Sequence, residues 1–146
     1  MSELFYNIKF EDNSKIVLEA EKEAVERALY AIGVKAVEGA TDAISGKYNI
    51  AAAVDTGRLR ASISAITYSG EKINNSFTPP ENAKTGDKLS GSADKNSVII
   101  GSNVEYAEKV HNGDSKMKSR PFLREGIDRT KDDMQRQVEK IFKGEL

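Results

Sequence analysis

Cysteine is missing from this chain, and histidine occurs once, at His111. Without thiols the sequence forms neither disulfides nor thiolate metal sites. A metal would have to sit on carboxylates beside a single imidazole, with no His-x-x-x-His spacing to hold it. Long apolar runs are missing too, since nothing approaches the ~20 residues that span a bilayer. An excess of either charge is also absent. With 22 basic against 23 acidic residues, the formal net charge is −1. No global field therefore draws the chain to nucleic acid or to an anionic membrane. Glycine-rich phosphate loops and Ser/His/Asp arrangements do not occur. The first residues, Met1-Ser2-Glu3-Leu4-Phe5-Tyr6, lack the basic-then-apolar layout of a signal peptide. That leads to an expectation of synthesis and use in the cytoplasm.

What is present is enough for one modest domain over residues 1–146. The 146 residues suffice for one hydrophobic core. The apolar share of 38% against 31% charged predicts a thin or elongated fold, or exposed loops. Leu4, Tyr6, Ile8 and Phe10 alternate with other residues, which predicts a short strand. Glu11-Asp12-Asn13-Ser14 is turn chemistry, and residues 16–18 read equally as a return strand or a helix start.

From about Glu19 to Ser45 the period becomes helical. Val25, Ala28, Leu29, Ile32, Ala36, Ala40, Ala43 and Ile44 share one face. Gly33 and Gly39 each cost about 1 kcal/mol against alanine inside a helix, so packing must offset them. Gly46 is suited to a left-handed cap. Next, Asp55-Thr56-Gly57 reads as a structural turn into a half-buried strand. Leu59, Ala61, Ile63 and Ala65 would form its inner face, and Arg58 and Arg60 would lie on its outer face. Residues 97–101 are its expected partner.

Between the two lies 69–96, rich in Gly, Ser, Asn, Pro and Lys, with Ile73, Phe77 and Leu89 as its sizeable apolar residues. It reads as an extended flexible loop, because such a composition offsets little ordering entropy. Asn103 is placed to cap a short helix that brings Tyr106 and Val110 to one face. His111 is expected as a surface or interface residue near the Asn112-Gly113-Asp114 turn. Pro121 opens a last helix with a stripe of Leu123, Ile127, Met134, Val138, Ile141 and Phe142, stopped by Gly144.

Two groups of residues invite a chemical reading. Asp55-Thr56-Gly57 is also the tripeptide of retroviral-type aspartic proteases, and Val98-Ile99-Ile100-Gly101 is similar to their downstream segment. That mechanism needs two aspartates sharing a proton. Arg58 stands where those enzymes carry a small residue, and a positive charge there would disturb the shared proton. The structural reading of Asp55 and Gly57 is preferred. The second group is basic: Lys116, Lys118, Arg120 and Arg124, joined by Arg58 and Arg60, form candidate contacts for a subunit or partner, or for phosphate. No aromatic residues interleave with them for base stacking. The acidic run Glu19, Glu21, Glu23 and Glu26 opposes a nucleic-acid-binding regulator.

Three blocks in order complete the picture: Val54-Asp55-Thr56-Gly57-Arg58-Leu59-Arg60-Ala61-Ser62-Ile63, then Val104-Glu105-Tyr106-Ala107, then Ser119-Arg120-Pro121-Phe122-Leu123. From the long helix to the C-terminus this order resembles the tail-completion proteins of long-tailed bacteriophages, also called head–tail connector or minor capsid proteins. Ala53 replaces the proline common before the family's first turn, and His111-Asn112-Gly113-Asp114 replaces its Glu-aromatic-Gly-Thr ending. The resemblance implies an α+β fold, a small antiparallel sheet packed by a long helix from the first half and a C-terminal helix, with a long hairpin loop. It also implies a virion structural protein of phage or prophage origin with no catalysis and no cofactor. Its partners would be copies of itself in a six-membered ring, and connector or stopper and tail-tube proteins. DNA would pass through without sequence recognition, and no membrane is involved.

Overall fold

A computed structural model of the chain describes residues 4–9, 19–47 and 57–144. The expected turn at 11–14, the ambiguous 16–18 segment, and Ala53, Asp55 and Thr56 lie outside the described residues. The elements run β1 (Leu4–Lys9), α1 (Glu19–Ile44), α2 (Arg58–Ser62), β2 (Ser64–Thr67), β3 (Lys72–Asn74), β4 (Ser97–Ser102), α3 (Ala107–Asn112) and α4 (Phe122–Phe142).

Helix α1 forms because its apolar residues fall three and four apart, and every residue of the expected face from Val25 to Ile44 is buried. It ends in a Schellman cap. Gly46, at φ 106°, donates to the Ala43 carbonyl, and Lys47 donates to that of Asp42 at 3.0 Å. The interior glycines are explained by close approach. A Cβ on Gly39 would overlap the Gly126 carbonyl of α4, and one on Gly126 would overlap the Ala40 backbone. The two long helices therefore touch backbone to backbone. Gly33 makes similar room for Ile73 and Val98 of the sheet. Contacts within the chain thus offset the helix-propensity cost of both glycines in α1.

All four strands are antiparallel, in the order β1-β4-β2-β3. The register lines up Tyr6, Ile100, Ala65 and Ile73 across the sheet. That row packs with α1 and α4 in the main core, which includes the fully buried Phe122 and Leu123. Burying such a side chain contributes about 1.5–3 kcal/mol. The opposite face, carrying Ile66 and Ile99, is covered by Leu89 and Ala93 of the 69–96 segment. Every residue of β4 is accordingly buried. The segment read as a bare loop thus includes strand β3 and roofs the second face of the sheet.

Four local expectations are corrected. Residues 58–62 are not strand but one turn of helix, entered through Gly57 at φ 79° and closed by Ala61 N–H to the Gly57 carbonyl. Leu59 and Ile63 are four apart as well as even-spaced, and Arg58 and Ser62 are buried too, so no solvent face exists to favour alternation. Asn103 does not cap α3, which starts after Tyr106. Its amide instead donates to the Lys88 carbonyl and the Ser90 hydroxyl. His111 is buried, with its ring between Tyr6 and Phe122. Phe142 closes the α4 stripe in sequence but is 41% exposed, unlike the buried Leu123, Ile127, Met134 and Ile141. Among the described residues no helix is long and apolar enough to cross a membrane.

Candidate functional site

Arg58 is the most heavily engaged polar residue described. The left-handed Gly57 starts α2 so that Arg58 points inward, where it is 6% exposed. Its Nε donates to Asp87 Oδ2 at 2.8 Å and its Nη2 to Asp87 Oδ1 at 2.7 Å, a two-pronged guanidinium–carboxylate fork. Nη1 and Nη2 also reach the two Glu105 oxygens, each at 2.8 Å. The Tyr106 ring centroid lies 5.6 Å from the guanidinium carbon. Asp87 also accepts the Lys84 backbone N–H, and the Lys84 ammonium stands 3.8 Å from Glu105. Arg58 therefore fastens the 69–96 segment to the turn before α3.

The charges stabilise one another. Hydrogen bonds from Arg58 hold Asp87 below the usual carboxylate range and bring Glu105 down to about 2. The same bonds push Arg58 above its ordinary value. At neutral pH both carboxylates are ionised, and each accepts two hydrogen bonds from Arg58. The cluster ties three stretches of the chain together as a strut.

Arg58 and Arg60 are thus not a shared exposed strand face. Arg60 is half-buried, with its guanidinium carbon 3.7 Å from the Phe77 centroid, and Asn75 caps its carbonyl. Lys116, Lys118 and Arg124 are exposed, and Arg120 is half-buried with its backbone N–H on the Val110 carbonyl. Lys116 sits in a tight turn. The Asp114 carboxylate accepts the N–H groups of Lys116 and Met117, and the Met117 carbonyl accepts the Asp114 N–H. Asp55 lies outside the described residues, while Gly57 holds the turn. Val98–Gly101, the segment similar to part of a protease, lies in β4, one of the two inner strands of the sheet.

A second polar surface runs along the outer side of α1. A hollow of about 330 Å³ lies between α1 and the free edge of β3, lined by Tyr30, Val34, Val37, Glu38, Asp42 and Ile73 among others. Tyr30 also borders a hollow of about 350 Å³ towards Glu26, Glu71 and Ile141. Glu26 accepts from Thr67 and Ser69. Loss of hydration, then the bond to Glu26, raises Glu71. Among the described residues no group of three or more His, Asp or Glu side chains is placed to hold a metal.

Sequence reasoning missed Asp87, Glu105 as a partner of Arg58, and the hollow beside β3. Asp87 carries no local signal, being one polar residue in a polar stretch 29 positions from its arginine. Glu105 lay inside a block already singled out, yet its partner is 47 positions away. Comparison with protein-family models, with curated proteins and with solved structures found no match.

Proposed function

We propose that this chain is a non-catalytic structural component of a long-tailed phage or prophage particle, joining the DNA-filled head to the tail as a ring of copies in the neck. The observation that carries the reading is the meeting of the resemblance-bearing blocks. Arg58 of the first block binds Glu105 and lies by Tyr106 of the second. Phe122 of the third lies against His111, in the helix that the second block opens, with ring centroids 5.4 Å apart. Residues that look like scattered motifs are thus the joints of one scaffold. A protein that works by shape needs such joints and no reactive group. The α+β architecture, a four-stranded antiparallel sheet against two long helices, is the one the resemblance implies.

The test is genetic. Deleting the gene from its phage or prophage should yield filled heads and separate tails that fail to join, and adding the purified protein should restore joining. Joined, infectious particles from the deletion would refute the assignment. Its two neighbours in the particle, the connector or stopper and the tail tube, should both be recovered by cross-linking in assembled virions.

A further inference from the structure

We propose that copies of this chain associate head to tail, the Lys116-Met117-Lys118 turn of one copy seating in the groove between α1 and β3 of the next. The inference deepens the ring reading above by naming its two contact surfaces, and it stands on features that read as complementary. The turn is a preformed knob. Met117 is 36% exposed, between two exposed lysines, in a loop fixed by the Asp114 carboxylate below and by Ser119 Oγ on the His111 carbonyl. A turn already closed by these bonds loses little backbone freedom on docking, while ordering the Met117 side chain still costs rotamer freedom. Among the described residues, neither lysine has a carboxylate within ion-pair distance.

The groove offers the opposite chemistry. Val34, Val37 and Ile73 give it an apolar lining, Glu38 and Asp42 stand on its α1 side, and Lys72 on the β3 side leaves the lining with one carboxylate in excess. Those two carboxylates are 59% and 39% exposed at the side chain and hold long contacts to Lys35 and Lys47, at 3.9 and 3.5 Å. Their spacing also fits. Four residues of helix rise about 6 Å, and a two-residue step of extended chain spans at most about 7 Å. Lys116 and Lys118 can therefore be matched to Glu38 and Asp42 in span.

Topology decides that the contact is between molecules. The knob is rooted at His111, whose ring lies 5.6 Å from Tyr6 of β1. The groove borders β3, and the sheet order places β1 and β3 at opposite edges. Three strand spacings, about 14 Å, separate those edges. Knob and groove cannot meet in one copy. Two different patches meeting head to tail leave one of each unused, so association continues until a ring closes.

The experiment uses the full chain in sedimentation velocity over a concentration series at low salt. One variant carries Lys116→Glu with Lys118→Glu, and a second carries Glu38→Lys with Asp42→Lys. Each alone should weaken association by at least about tenfold, as like charges then face each other. Mixed, they should associate again in alternating order, because each intact knob meets an intact groove and each acidic reversed knob meets a basic reversed groove. All four changes in one chain should restore self-association. A wild type that stays monomeric at the highest soluble concentration overturns the proposal, as does an isologous dimer unaffected by either variant. Circular dichroism separates lost contact from lost fold, and if one variant unfolds, Met117→Asp tests the knob alone. Failure here with a positive deletion phenotype would remove the interface and leave the neck assignment. Association with a negative phenotype would do the reverse.

Discussion

Two groups of basic residues look alike in sequence and end in opposite conditions. Arg58 is buried and forked onto Asp87 and Glu105, whereas Lys116 and Lys118 stand in solvent on a turn held by Asp114. What separates them is what the chain folds back upon each. Residues 84–87 return across α2 and bring a carboxylate to Arg58, while the 113–119 turn uses its own acid on backbone N–H groups and, among the described residues, leaves its lysines without an ion pair. A positive charge becomes internal architecture when a distant acid is delivered to it. Otherwise it remains available to another molecule.

That contrast can be broken by measurement, and the largest effect belongs to Arg58. Replacing Arg58 by alanine leaves Asp87 buried without its cation and should cost about 3–5 kcal/mol in urea unfolding. A loss below about 1 kcal/mol would mean that the fork is ornamental and the two groups are equivalent. Acid should act next, in two windows. His111 is held below its ordinary value chiefly by burial, against the hydrogen bond its Nδ1 makes to the Asn112 Oδ1 acceptor, so the unfolded chain takes up its proton first. Stability should therefore begin to fall as pH drops below about 6.5 and stop falling below the folded value. His111→Gln should flatten that slope in pH-dependent melts. The second window lies lower. Asp87 and Glu105 are depressed by Arg58, so their stabilisation is present above about pH 4 and is lost as pH falls through their folded values, that of Glu105 at about 2.

Arg60→Ala removes a cation–π contact with the partly exposed Phe77 and should cost about 0.5–1 kcal/mol. The smallest change is expected at the knob. Lys116→Ala with Lys118→Ala should leave unfolding within about 0.5 kcal/mol of wild type. A large destabilisation there would show that the turn is as internal as Arg58. Amide exchange on the free protein sharpens the comparison further. Exchange should be fast between Asn75 and Lys84, and slow from Asp87 to Leu89 if the Arg58 fork holds that stretch.

How legible these features were depended on the distance over which each is specified. Helices α1 and α4 were readable because their apolar residues recur every three or four positions and the partner need only be apolar. Strand β1 was readable from the alternation of Leu4, Tyr6 and Ile8, and β4 from the short apolar run Val98-Ile99-Ile100. Helix α2 was not, since Leu59, Ala61 and Ile63 satisfy an alternating pattern and a five-residue helix has no length to contradict it. The burial of Arg58 was invisible for the same reason that Asp87 was: the pairing is set by the return of a polar segment, which leaves no periodic trace. The groove went unread because a free strand edge exists only once the strand order is known. The basic turn, whose exposure depends on neighbours in sequence, was read where it stands.

The roof over the second face of the sheet leaves a region free to change. Leu89 and Ala93 do the covering and Asp87 the fastening, so Glu81 and Asn82, both exposed on a turn closed by Ala83 N–H to the Pro80 carbonyl, touch neither task. Lengthening a loop costs only about 0.6 kcal/mol for each doubling. An epitope or a fluorophore-bearing peptide inserted between Glu81 and Asn82 should therefore leave the fold intact, and would make the protein visible inside whatever particle it enters.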